Sequence, residues 1–211
     1  MLWLLIAMQV LVGLLASVQT VSAAEATDTP RFVTKWGSEG TGDGQFSNPR
    51  EIIVDSSGDL YVADEGNSRI QKFSSNGNFL LKWGSYGSGD GQFASSAPRG
   101  IVQSSDGYIY EADRLNNRVQ KFDSVGTFIL KWGSSGTGNG QFNNVASVGV
   151  DSDKNVYVAE WSNSRIQKFD SNGTYITKWG SSGTGDGQFN SPWFVTVLDN
   201  YVYVAENGGK R

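Results

Sequence analysis

The chain has 211 residues, 17 Lys and Arg against 21 Asp and Glu, and neither His nor Cys. That length suits one or two globular cores, and the missing residue types exclude imidazole or thiolate metal sites and any Ser-His or Cys-His nucleophile. A formal charge of −4 argues against nucleic acid as a partner, and 27 Gly beside 4 Pro point to many tight turns.

Residues 2–18 are almost wholly apolar, and the first charged side chain is Glu25. Small residues follow from Val21 to Ala26, so 1–24 is expected to be a secretory signal peptide cleaved near Ala23 to Ala26. Residues 25–31 read as a linker. The remainder is then expected to be secreted, periplasmic or on the cell surface, touching a membrane only if the signal stays uncleaved.

From residue 32 onward one unit recurs. Lys-Trp-Gly stands at 35–37, 82–84, 131–133 and 178–180, in steps of 47, 49 and 47, and Gln-Phe keeps the same steps from 45–46. The two extra residues of the second copy fall between Phe93 and Arg99. The first copy predicts four short strands, Glu51–Asp55, Leu60–Asp64, Arg69–Phe73 and Asn78–Trp83, joined by Gly-, Asn- and Ser-rich turns. Nothing shows a sustained helical period. The fold class is therefore all-β, and four antiparallel strands per repeat of this length describe a propeller blade.

The run Asn48-Pro49-Arg50-Glu51-Ile52-Ile53-Val54-Asp55-Ser56-Ser57-Gly58-Asp59-Leu60-Tyr61-Val62-Ala63-Asp64, with Asn67 and Arg69-Ile70-Gln71-Lys72-Phe73, resembles an NHL repeat. The resemblance covers essentially residues 32–211 and implies a β-propeller, usually of six blades. Six blades at a step of 47 would take 282 residues, against 180 here. About four blades are expected, the last incomplete, with Phe32–Trp36 as a strand for the last blade. The expectation is a fragment of a six-bladed propeller, or a chain that self-associates through open terminal blades.

Most of the chemically suggestive residues recur, which marks them as scaffold. Gly40-Thr41-Gly42-Asp43-Gly44 resembles a phosphate loop, but it returns in every copy and leads to a strand, not a helix. The pairs Asp64/Arg69, Asp113/Arg118 and Glu160/Arg165 flank one short loop and read as structural ion pairs. Trp36, Trp83, Trp132 and Trp179, one per copy, read as packing residues. Asp151-Ser152-Asp153-Lys154-Asn155 lacks the glycine and closing glutamate of a calcium loop, so turn chemistry explains it.

Residues that break the repeat point elsewhere. Trp161 and Trp193 are not periodic, and strand parity puts both at the end of the blades where the glycine loops emerge. With Arg114 and Arg99 they are expected to form a shallow aromatic-basic patch, since Trp and Arg most often anchor interfaces. The first strands offer mainly Ile52, Val54, Val102, Val148 and Val195 rather than convergent acids, so no poised base is expected nearby. The leading expectation is a non-catalytic extracellular binding or scaffold propeller for a protein or glycan ligand, with no catalytic residue, metal or cofactor. A metal-dependent lactonase or lyase, known among look-alike propellers, is the alternative that the resemblance implies.

Overall fold

A computed structural model describes Phe32, residues 34–199 and residues 201–208. The expected signal peptide and linker, 1–31, lie outside them. The chain divides into two units, residues 1–35 and 36–211, and all described strands fall in the second. Phe32 and residues 34–36 belong to no strand, so the strand expected over Phe32–Trp36 is not formed among the described residues.

Three complete blades follow one another. The first holds β3 (Pro49–Val54), β4 (Leu60–Asp64), β5 (Arg69–Phe73) and β6 (Phe79–Trp83). The second holds β7 (Ile101–Gln103), β8 (Ile109–Asp113), β9 (Arg118–Phe122) and β10 (Phe128–Trp132), and the third β11 (Val145–Val150), β12 (Val156–Glu160), β13 (Arg165–Phe169) and β14 (Tyr175–Trp179). Each is a four-stranded antiparallel meander in sequence order. A fourth sheet contains β15 (Pro192–Leu198) and β16 (Tyr201–Glu206), and β1 (Ser38–Glu39) pairs in parallel with β2 (Gln45–Phe46) inside the first glycine loop. The middle strands are buried on both faces, so a blade is stable only between neighbours.

The core accordingly lies between the sheets. Tyr61, Ala63 and Ile70 of the first blade meet Ile101, Ile109 and Phe122 of the second. Tyr110, Ala112 and Val119 of the second meet Val148, Val156, Val158 and Phe169 of the third. The stretch 94–97 that carries the two-residue insertion is less of a surface loop than its composition suggests: Ser95 and Ser96 are exposed, but Ala94 and Ala97 are buried in the first of these clusters. Where a further blade would stack, Ile52 and Val54 at one end and Tyr201 and Tyr203 at the other stay exposed.

The recurring Trp residues bridge blades. Trp83 lies 5.9 Å from Phe122 of the next blade and Trp132 lies 5.8 Å from Phe169, ring centre to ring centre. All four are partly exposed rather than enclosed, Trp36 most of all at 40%.

Candidate functional site

The glycine loops are closed on themselves. In the first, Gln45 turns back so that its Oε1 accepts the Gly42 N–H at 2.9 Å. Gly40, at φ +147, has no room for a side chain, because an added Cβ would sit 2.3 Å from that same oxygen. Arg69 then donates to the carbonyls of Thr41, Gly42 and Gln45, at 2.7 Å each, while its Nε holds Asp64 at 2.8 Å. Arg118 with Asp113 and Arg165 with Glu160 repeat the arrangement on the next two loops. All six charges are buried. A buried carboxylate–guanidinium pair is tolerable only when its remaining valences are filled, and here loop carbonyls fill them. These groups hold the scaffold. Asp151 is equally occupied, by the amide N–H and side-chain N–H of Asn155, the Tyr157 hydroxyl and Lys168.

The four non-periodic residues do come together. Arg50, Arg99, Ala146 and Trp193 occupy one repeat position, at the start of the innermost strand of successive blades. Because the third of these is only a methyl group, Arg99 reaches past it and its guanidinium lies 3.7 Å from the Trp193 ring centre, two blades away. Trp161 meets Trp193 edge to face at 4.5 Å, and Arg114 lies 5.2 Å from Trp161 and 5.9 Å from Trp193. Guanidinium over indole gains from the ring's negative face, more so when partly desolvated. Trp161 and Trp193 are each half-buried.

One carboxylate anchors this cluster. Glu65 is 4% exposed; Arg50 Nε approaches it at 2.6 Å, Arg99 Nη1 at 3.4 Å, and Asn48 donates to it at 2.5 Å. It sits on a single 3-10 turn, Glu65–Asn67, where the sequence suggests an ordinary hairpin loop. Burial and the charges of Arg114 and Arg50 pull Arg99 down to about 10, Glu65 opposing them. Burial likewise lowers Arg114, whose Nε donates to Asn144 Oδ1 at 3.1 Å.

Beside the cluster is a recess of about 190 Å³ lined by Arg50, Glu51, Arg99, Ala146, Ser147, Trp193 and Phe194. Glu51 corrects the expectation that no poised acid or base lies nearby: burial pushes its carboxyl up to about 7, although the Ile101 N–H, 2.9 Å away, favours the ionised form. Gly100 holds the same repeat position in the second blade, and an added Cβ there would stand 2.8 Å from Ser147 Cα and 3.3 Å from Glu51 Oε2. Comparing Glu51 with Gly100, Ser147 and Phe194 down the repeat is the signal that could have found it.

A second acid was also missed. Glu111 stands opposite Ile101 and Gln120 in the second sheet, at the position that Val62, Val158 and Val204 hold in the other copies. It alternates with Tyr110 and Ala112, so it faces the first blade together with Ile109. It is fully buried, and neither oxygen makes a well-formed hydrogen bond, the Arg99 amide lying near but bonded to the Ala112 carbonyl. Burial first, then the Asp113 charge, raises it well above the ordinary carboxylate range, against the pull of Arg118 and the Arg99 amide. Among the described residues no group of three or more acids is arranged to hold a metal ion.

The blade geometry now meets its sequence counterpart. The NHL repeat family model matches residues 46–73 and 142–169, each running from the end of a glycine loop through the third strand of a blade. The chain carries NHL repeats. One stretch of this NHL chain is 44% identical over 46 residues to protein lin-41 of Caenorhabditis elegans, covering 22% of this chain and 4% of that protein. Among solved structures, it is similar to a catalytically inactive histidine-to-alanine variant of virginiamycin B lyase from Staphylococcus aureus with quinupristin. The TM-score is 0.58 at 17% identity, over 79% of this chain and 50% of that one. A chain of the nidogen/laminin complex matches with TM-score 0.54 at 16% identity, over 76% and 56%. At such identities the likeness is one of fold: a β-propeller. The NHL chain spans about half the length of these solved chains.

Proposed function

We propose that this is an exported, non-catalytic recognition propeller whose ligand, a protein or a glycan, docks on the face made by Trp161, Trp193, Arg99 and Arg114. One observation carries the reading: four residues that break the repeat come from three blades and converge, with Arg99 3.7 Å over Trp193. Arg114, Trp161 and Trp193 recur at their positions in no other copy and Arg99 only as Arg50 of the first, and half-exposed Trp beside Arg is the composition of an interface anchor. The nidogen/laminin likeness adds an analogy of fold, nothing closer. The N-terminal apolar segment supports export. The test is a Trp161→Ala, Trp193→Ala double variant screened beside the wild-type chain against cell-envelope glycans and extracellular proteins. Binding lost with the circular dichroism spectrum unchanged supports the face; binding retained moves the ligand to the opposite end.

Glu51 favours a second reading, a lyase- or lactonase-like enzyme. A carboxyl that titrates at about 7 beside two guanidinium groups in a recess is suited to moving a proton. The solved lyase named above is inactive as a histidine-to-alanine variant, and the present 211 residues contain no histidine, so the catalytic group would have to differ. Turnover abolished by Glu51→Gln would establish this reading over the first.

A further inference from the structure

We propose that the recess receives the carboxylate of a uronic-acid residue, so that the ligand is an acidic polysaccharide whose sugar ring rests against the exposed part of the indole pair. This names the ligand class of the face proposed above and rests on that reading.

Charge points to an anion. Among the described residues three guanidinium groups, Arg50, Arg99 and Arg114, gather around one carboxylate, Glu65, and Arg114 is left with a neutral amide oxygen as its hydrogen-bond acceptor. Burial above all, and then the neighbouring arginines, depress the basicity of Arg99 and Arg114. Glu51, raised by burial to about 7 and so about half ionised near neutrality, offsets only part of that charge. A surplus of positive charge, half-desolvated in a chain whose formal charge is −4, is relieved by a bound anion.

Shape and lining narrow the anion. Guanidinium groups pair bidentately with a planar carboxylate. The recess, at about 190 Å³, is smaller than the roughly 300–1,000 Å³ of a pocket that engulfs a whole ligand, so it suits one charged group of a longer chain. Ala146, Phe194 and Trp193 make part of its wall apolar, and Ser147 adds a hydroxyl. Half-buried indoles at its rim offer surface to the C–H face of a pyranose, which an acidic peptide side chain does not carry. A uronate presents both parts, a ring and a carboxylate on it.

Calorimetry of the full chain with a galacturonate hexamer, at low and at moderate salt, tests this. The expected result is binding that weakens with salt, with a neutral glucose hexamer binding at least about a hundredfold more weakly. Arg50→Gln, at an exposed position of the recess wall and so compatible with folding, should lower affinity about tenfold, as loss of one charge-assisted contact does, and Arg114→Gln, beside the recess but outside its lining, should lower it less. No binding of the galacturonate hexamer, equal binding of the neutral hexamer, or wild-type affinity in the Arg50→Gln variant overturns the proposal. So does tighter binding of a glutamate hexapeptide, which would make the ligand an acidic protein segment. If the double tryptophan variant loses a neutral or peptide ligand found in the wider screen, the binding face stands and the uronate assignment alone falls.

Discussion

The contact between the first and second blades and that between the second and third come from the same repeat, yet they are built differently. Between the second and third, Tyr110, Ala112, Val119, Phe142, Val145, Val148, Val156, Val158 and Phe169 make a seam whose buried polar groups, the Trp132 indole N–H and Lys121, include no carboxyl. Between the first and second, the matching apolar set is interrupted by Glu51 and by Glu111, which makes no well-formed hydrogen bond. Each seam holds one unpartnered tryptophan N–H, and the contrast teaches that the repeat also tolerates acidic side chains in one of them. The seam that departs is also the one beneath Arg50, Glu65 and Arg99, where the chain has diverged from its own pattern at the rim as well.

Phe142→Ala should have the largest effect, a loss of about 3–5 kcal/mol from the second seam, because a fully buried phenyl leaves a cavity. Urea midpoints measure it; a loss under about 1 kcal/mol would mean the second seam is no better packed than a loop. Glu111→Val, which installs the residue of the other copies, should go the other way. The gain should be about 1–3 kcal/mol from removing an unsatisfied buried polar group, and larger at pH 8 than at pH 5 because burial raises this carboxyl. A destabilised Glu111→Val chain would show that the acid has an undetected partner.

Glu51→Gln should stabilise by about 2 kcal/mol above pH 7, after allowing for the partial exposure of the group. Its folded-state value of about 7 lies above the ordinary 4.5, so between those pH values the folded chain holds a proton that the unfolded chain has lost. Stability of the wild-type chain therefore falls as pH rises from about 4.5 to about 7, and the gain from Gln grows over the same window and then levels. A gain independent of pH would break the account. The smallest effect belongs to Trp161→Ala, about 1 kcal/mol, because Trp161 is half-buried and packs on Trp193 outside both seams. Trp132→Ala should cost more, since Trp132 spans the second seam to Phe169. Equal losses for the two would erase the distinction between seam and rim.

Much of the fold was legible in the residues. Leu60–Asp64 and Arg69–Phe73 have the bounds expected of them, because turn residues delimit them on both sides. The innermost strand was less legible: it begins at Pro49, where a hydrogen-bonded pairing with Asp64 starts it earlier than its alternation suggests. The meeting of Trp161 with Trp193 follows from strand parity and adjacent copies. The reach of Arg99 to Trp193 does not, since it depends on the size of Ala146 in the blade between them. Glu51 and Glu111 escaped notice for a different reason. Each is one polar letter in a strand that otherwise alternates normally, and only the depth of the seam turns it into a perturbed acid.

The arginine clamp also says where one copy of the unit ends and the next begins. Arg118, with Gln120, holds the loop that precedes its own blade, and Phe93 of that loop packs 5.9 Å from Phe122 of the same blade. Arg165 and Gln167 do the same for residues 137–141, and Phe142 lies 5.6 Å from Phe169. The self-sufficient segment is thus loop plus following strands, from the glycine after one tryptophan to the next tryptophan, as in 84–132. A gene that lengthens by tandem duplication at that boundary keeps every clamp intact, whereas a cut between loop and blade orphans a buried arginine. Growth of such an array is therefore cheap in one phase of the repeat and costly in every other.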